Sequence, residues 1–270
     1  MKKMYLFLML VNAGVAFGQI KEVDTIRVEE VDTIRFNMGK KKVVVITTDD
    51  SSIEIDQDED DGRNYAHWAG FGGSANFFVT DNYAIADKDD ALYLEIDFNR
   101  SASLNMNVYE KRFPIVKEYV GLTTGLGFQF SFYELKNNVD ITVTDDSTFG
   151  TLNLTTDFST NRLQLFYLQV PLLLEFNTSK NPDKNWHLSL GVTGAFKMGA
   201  SYRTKWKDDG EKYKDRMRSN FNMNPFQAYG TAIIGYGNYS AFMHYGLTPL
   251  FEKGKGPDFV PVNIGILCNF

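Results

Sequence analysis

Three sets of residues in this chain are of types that could do chemistry. The first is Glu175 and Lys197, each on the polar face of a stretch whose alternate residues are apolar, Leu172-Leu-Leu-Glu-Phe176 and Phe196-Lys-Met198. A carboxyl and an ammonium withdrawn from water need partners. The two are expected to form an internal polar pair on neighbouring strands that fills the interior and turns over no substrate. The second is His187 and Ser189, two apart on one face. A base beside a hydroxyl is the start of nucleophile activation, which also needs an acid to orient the imidazole. No acid follows on that stretch, because position 199 is Gly and the next Glu is Glu211. The third is Asp56-x-Asp58-x-Asp60, which starts like a calcium loop but has Asp61 where the sharp turn needs Gly and His67 where the bidentate Glu belongs. No catalytic residue, cofactor-binding residue or metal ligand is therefore assigned.

These residues must be positioned by strands. Eight stretches alternate at period two, over about 66–79, 101–110, 118–134, 162–177, 186–204, 225–236, 239–249 and 259–270. The second is the cleanest, with Ala102, Leu104, Met106 and Val108 opposite Ser101, Ser103, Asn105 and Asn107. The last sets Val260, Val262, Ile264, Ile266, Cys268 and Phe270 against Asn263, Gly265 and Asn269. Such dyads suit strands with one face in hydrocarbon and one in a polar lumen. The polar faces carry Ser, Thr, Asn, Gln and Gly with few charges, unlike the outer face of a water-soluble lipid carrier. Pro171 lies inside the fourth stretch and predicts a bulge or a locally unpaired position.

The connections alternate in length. Those over 80–100, 135–161, 205–224 and 250–259 are long and polar, while 111–117, 178–185 and 237–238 are short. Long loops at one end and short turns at the other are the plan of an outer-membrane barrel. The fold expected is all-β: an eight-stranded antiparallel up-and-down transmembrane β-barrel. A barrel of eight strands is just wide enough for its own side chains to fill it. Trp68, Trp186 and Trp206 are expected in aromatic girdles at the two interfaces, and Cys268 is expected to face lipid.

The N-terminus reads as a secretory signal peptide over residues 1–18. Lys2 and Lys3 precede an apolar core, and Ala16 and Gly18 stand at the −3 and −1 positions of a cleavage site. Residues 19–62 read as an acidic periplasmic linker, and the barrel domain is expected over 63–270. Val23-Asp-Thr-Ile-Arg27 recurs as Val31-Asp-Thr-Ile-Arg35, so 20–48 is open between disorder and peripheral strand pairing. With six Lys/Arg against thirteen Asp/Glu, the segment 20–62 carries −7 of a formal net charge of −6. The acidity therefore belongs to the linker, and Lys2 and Lys3 leave the body near neutral. That charge excludes a nucleic-acid partner, and a single Cys excludes a disulfide framework.

Leu165-Phe-Tyr-Leu-Gln-Val-Pro-Leu-Leu-Leu-Glu-Phe176 resembles the Tyr-Leu-x-Ile-Pro-Leu-Leu-Leu strand of outer-membrane β-barrel proteins of the Bacteroidetes, the class that includes PorT-like barrels. Val120-Gly-Leu-Thr-Thr-Gly-Leu-Gly-Phe128 is similar to that family's Gly-rich third strand. The resemblance covers roughly 66–270 and implies an outer-membrane barrel. Through PorT-like members it also points to a component of a protein secretion system. A barrel that deacylates lipid A uses a His-x-Ser pair with an orienting Glu, which is incomplete here. The function expected is a non-enzymatic outer-membrane protein of a structural or envelope-assembly type, with a small-ligand or lipid-binding barrel as the alternative and a lipid-modifying enzyme below both. The partners expected are outer-membrane lipid and lipopolysaccharide, the latter through the basic and aromatic 203–218 loop. An envelope protein reached through the N-terminal segment or the extracellular loops is a further partner.

Overall fold

The computed structural model describes residues 32–38, 41–47, 53–56, 65–80, 83–86 and 91–270. The expected signal peptide, the first copy of the Val-Asp-Thr-Ile-Arg repeat and the acidic run from 57 to 61 lie outside the described residues. The chain divides into two compact units, Met1–Arg63 and Asn64–Phe270. In the first, β1 (Asp32–Met38), β2 (Lys41–Thr47) and β3 (Ile53–Asp56) form an antiparallel sheet in that order. The second copy of the repeat supplies β1, where Ile34 stands opposite Val45. Part of the expected linker is therefore paired strand.

The second unit contains β4 (Gly70–Val79), β5 (Ala102–Val116), β6 (Val120–Glu134), β7 (Val139–Val143), β8 (Thr148–Leu152), β9 (Phe158–Asn177), β10 (Trp186–Asp208), β11 (Glu211–Arg218), β12 (Phe226–Tyr236), β13 (Tyr239–Gly246) and β14 (Val260–Asn269). Eight of them form a ring, β4-β5-β6-β9-β10-β12-β13-β14, each antiparallel to its neighbours. The ring closes where β14 pairs with β4, from Val260 opposite Val79 to Asn269 opposite Gly70. These eight strands lie within a few residues of the eight alternating stretches, apart from β5, which runs on through most of the expected 111–117 connection to Val116.

The alternation decides which face is which. Leu104, Leu172, Ile234 and Ile266 are 58, 50, 54 and 69% exposed, while Ser103, Gln129, Gln169 and Asn263 are fully buried. The apolar side chains point out and the polar ones in. An apolar belt of this extent is the surface of a barrel in lipid, not of a water-soluble monomer. At Pro171 the β6–β9 register passes from Thr124 opposite Leu172 to Gly127 opposite Gln169, skipping the proline. Its missing N–H therefore costs no ladder bond there, and the Thr124 hydroxyl donates to the Pro171 carbonyl at 2.8 Å.

Two features of the long-loop end were not legible in the alternation. The 135–161 connection folds into the β7–β8 hairpin, whose Val139 and Ile141 join Leu94, Ile96, Phe221 and Phe251 in an apolar cluster. The same cluster takes in Phe78, Tyr133 and Tyr167 of the barrel strands, so the long connections form a packed cap continuous with the barrel interior. Tyr93 ties the cap together: its hydroxyl donates to the Thr148 carbonyl at 2.8 Å, and partial burial pushes the phenol up to about 12. The second feature is a register shift in β10 between Lys197 and Gly199. It exchanges the faces of every residue beyond it. Tyr202, which simple alternation puts on the lipid face, is 6% exposed and points inward.

Candidate functional site

The short turns at 117–119, 178–185 and 237–238 mark the periplasmic end of the barrel. There the chain leading into β4 does not pair as strand. Residues 66–69, Ala-His-Trp-Ala, are all buried and run into the lumen. Side chains of the barrel wall hold this segment by its backbone. Glu110 accepts the N–H groups of Trp68 and Ala69 at 2.9 and 2.8 Å. Asn107 donates to the Trp68 carbonyl at 2.9 Å, and Asn177 donates to that of Tyr65 at 3.1 Å. A buried non-strand backbone needs such partners, because each buried N–H and C=O left unpaired costs about a lost hydrogen bond.

Glu175 is the hub of this end. It is fully buried, and its carboxyl group accepts from Nδ1 of His67 at 2.7 Å and from the Thr123 hydroxyl at 2.8 Å. The His67 N–H and the Asn177 amide approach it at 3.4 and 3.3 Å. The ring of His67 stacks on His187, with centroids 3.6 Å apart. Nε2 of His187 in turn bonds the Ser240 hydroxyl at 2.8 Å, and that hydroxyl donates to the Asn269 amide oxygen at 2.7 Å. The line Thr123–Glu175–His67–His187–Ser240–Asn269 thus joins β6, β9, the incoming segment, β10, β13 and β14 across the lumen.

The expected partnership of Glu175 with Lys197 does not occur. In the β9–β10 register Glu175 stands opposite Ser189 and Lys197 opposite Tyr167, eight residues apart along the strands. Lys197 instead donates to the carbonyls of Asn220 and Met223 and to the Asn220 side chain, and so clamps the 219–225 connection between β11 and β12. The acid that His187 lacks in its own strand lies close by, but it bonds the other histidine of the stack. Ser189 is 1% exposed and faces the lumen, as does His187 at 2%.

Above this layer the interior stays filled. Trp68 packs with Leu173, Ile233, Phe242 and Leu267. Trp68 therefore plugs the lumen and is not an interface girdle residue. Trp186 does lie in a girdle, 59% exposed with its ring 5.3 Å from that of Tyr236. Trp206 stacks on Tyr213 in the β10–β11 hairpin at the opposite end. Higher in the lumen, the Gln169 amide donates to Gln129 at 2.8 Å, and Thr193, Thr231 and His244 form a second polar run. Tyr133, Tyr167 and Tyr229 then close the path below the cap. Among the described residues no group of three or more His, Cys, Asp or Glu could hold a metal ion. Period-two reasoning missed His67 and Trp68 because they sit in an unpaired lead-in; the signal available was two bulky residues in succession just before Gly70.

A protein family described as "Outer membrane protein beta-barrel domain" matches residues 56–252. The solved structure of Ail, the attachment invasion locus protein of Yersinia pestis, matches over 75% of this chain and 99% of that chain, with 11% sequence identity and a TM-score of 0.28. No curated protein matches.

Proposed function

From the membership of this chain in the outer membrane protein β-barrel domain family, we propose that it is a stoppered barrel that works through its surfaces, as a structural or envelope-assembly protein, and not through its lumen. The observation that carries this reading is the bulky filling at both ends of the lumen, His67 and Trp68 at the periplasmic end and Tyr133, Tyr167 and Tyr229 under the cap. The cavity beside Asn105 and His244 measures about 10 Å³, room for a single water and not for a hydrated ion. The burial of His187 and Ser189 in the lumen, away from lipid, favours a non-catalytic role. The finer kinship, with PorT-like barrels of the Bacteroidetes, is supported by Val120–Phe128 and Leu165–Phe176. On that kinship the cap and the N-terminal unit are the surfaces offered to an envelope partner.

The test is single-channel recording on the purified protein in planar bilayers. The expected result is a flat baseline at every holding potential. Stable unitary current steps from the full chain would overturn the stoppered-barrel reading.

A further inference from the structure

The 203–218 segment mixes both charge signs in sequence, but the β10–β11 hairpin separates them. It turns at Asp209 and Gly210, both with positive φ (48° and 86°), the conformation of a tight two-residue turn. The register sets Ser201 opposite Arg218, Arg203 opposite Arg216, Lys205 opposite Lys214 and Lys207 opposite Lys212. Residues directly opposite share a face. All seven cations of the hairpin therefore lie on one side, and Asp208, Glu211 and Asp215 lie on the other with Trp206 and Tyr213. Like charges directly opposite destabilise a strand pair. No carboxyl group pairs with Arg203, Arg216 or Arg218 among the described residues. This face is built to meet an anion.

Its position says which kind. The register shift after Lys197 turns Ser201 and Arg203 to the outside, next to the lipid-facing aromatics of β6 and β9. A groove of about 330 Å³ there is bounded by Phe130, Phe166, Gly199, Ser201, Arg216 and Arg218. Phe130 and Phe166 stack at 4.5 Å to form its apolar floor. Gly199 leaves it open, with no atom within 4 Å of where a Cβ would stand. Arg216 reaches the Ser201 hydroxyl at 3.1 Å and brings a guanidinium to the upper rim. A tilted strand rises ~2.5 Å per residue along the membrane normal. The ten residues from the Trp186 girdle to Phe196 thus cover about the 25 Å of an apolar band. The groove then lies at the acyl–headgroup boundary of the outer leaflet, with the arginines level with headgroup phosphates.

We propose that this groove and the cationic face above it bind a phosphorylated, acylated glycolipid of the outer leaflet, the acyl chain on Phe130 and Phe166 and the phosphate on Arg203, Arg216 and Arg218. Arginine suits the phosphate because its planar fork donates two parallel hydrogen bonds. The site rests on the lipid-facing orientation of the barrel, not on the state of the lumen, so a conducting barrel would leave it standing.

The test is native mass spectrometry of the full chain in maltoside detergent, titrated with bisphosphorylated lipid A and with the same lipid stripped of both phosphates. The expected result is one bisphosphorylated lipid per barrel, with the stripped lipid at least tenfold weaker. The R203Q/R216Q/R218Q protein should lose at least tenfold in affinity for the phosphorylated form, whereas K111Q/K117Q, at the periplasmic end, should lose nothing. Gly199→Leu, which fills the groove without touching a charge, should weaken binding at least threefold. Equal binding of the two lipids by the wild-type protein, or full affinity in the triple variant, would overturn the proposal. Displacement of the lipid by equimolar inorganic phosphate would overturn it in favour of a free-phosphate site. Should the triple variant fail to fold, the two-lipid comparison on the wild type and the Gly199→Leu protein still decide.

Discussion

Glu175→Ala is expected to destabilise the barrel by ~3–5 kcal/mol, the cost of removing one partner from a buried polar pair. The substitution deletes the acceptor of His67 Nδ1 at 2.7 Å and of the Thr123 hydroxyl at 2.8 Å. It also leaves the backbone N–H of His67 without its contact. None of these groups can turn to bulk water, since His67 and Thr123 are 4% and 0% exposed. Glu175→Gln retains one oxygen and the shape, and should cost less than half as much. Urea unfolding in detergent micelles, followed by tryptophan fluorescence, gives both values. The geometry also makes a negative prediction. Glu175 and Lys197 hold different ends of the barrel, so a Glu175→Ala/Lys197→Met double-mutant cycle should show a coupling below ~0.5 kcal/mol, as for distant sites. A coupling of several kcal/mol would restore the internal pair that residue types alone suggest.

Gly265→Val should abolish the folded barrel. A Cβ at Gly265 would stand 2.1 Å from the Gly73 carbonyl oxygen and 2.6 and 2.7 Å from Cβ and Cα of Ser74. Those atoms belong to β4, and their ladder with β14 is the seam that closes the ring. Backbone held in a ladder on both sides cannot retreat as a side chain would, so the cost exceeds the ~1–3 kcal/mol of ordinary overpacking. The expected readout is loss of the fast-migrating unboiled band on a gel, with the protein recovered in aggregates. Gly199→Ala is the matched control, because a Cβ there meets nothing within 4 Å, and that variant should migrate as wild type. A normal compact band from Gly265→Val would mean that the β14–β4 seam is not packed as described.

Most of the barrel could be read from alternation, because a strand between lipid and a polar lumen must repeat every two residues. Leu104 and Ile266 outside, Ser103 and Asn263 inside, follow from parity alone. Parity fails where a single residue is inserted. The bulge after Lys197 reverses the faces beyond it, so Tyr202 lies inside and Arg203 outside. Alternation also says nothing about partners distant in sequence. Glu175 takes its partner from His67, 108 residues earlier and outside any strand, so the site's centre depended on how the lead-in segment threads the barrel. The β7–β8 hairpin escaped for another reason: its strands are five residues each, too short for a dyad pattern to stand out among Asn, Asp, Ser and Thr. In the β10–β11 hairpin the signs look mixed until the turn at Asp209-Gly210 fixes the register. The alternation in Arg203-Thr-Lys-Trp-Lys then sorts them.

The apolar faces of the eight strands point into lipid around a closed ring. Fractionation of cells producing the wild-type chain, followed by gel electrophoresis of boiled and unboiled membrane samples, tests this arrangement most directly. The expected result is recovery in the outer-membrane fraction and a band that runs faster unboiled than boiled, the mark of a compact barrel that detergent alone does not open. Recovery as a soluble periplasmic protein with identical mobility before and after boiling would contradict it and make the apolar faces the inside of a different fold.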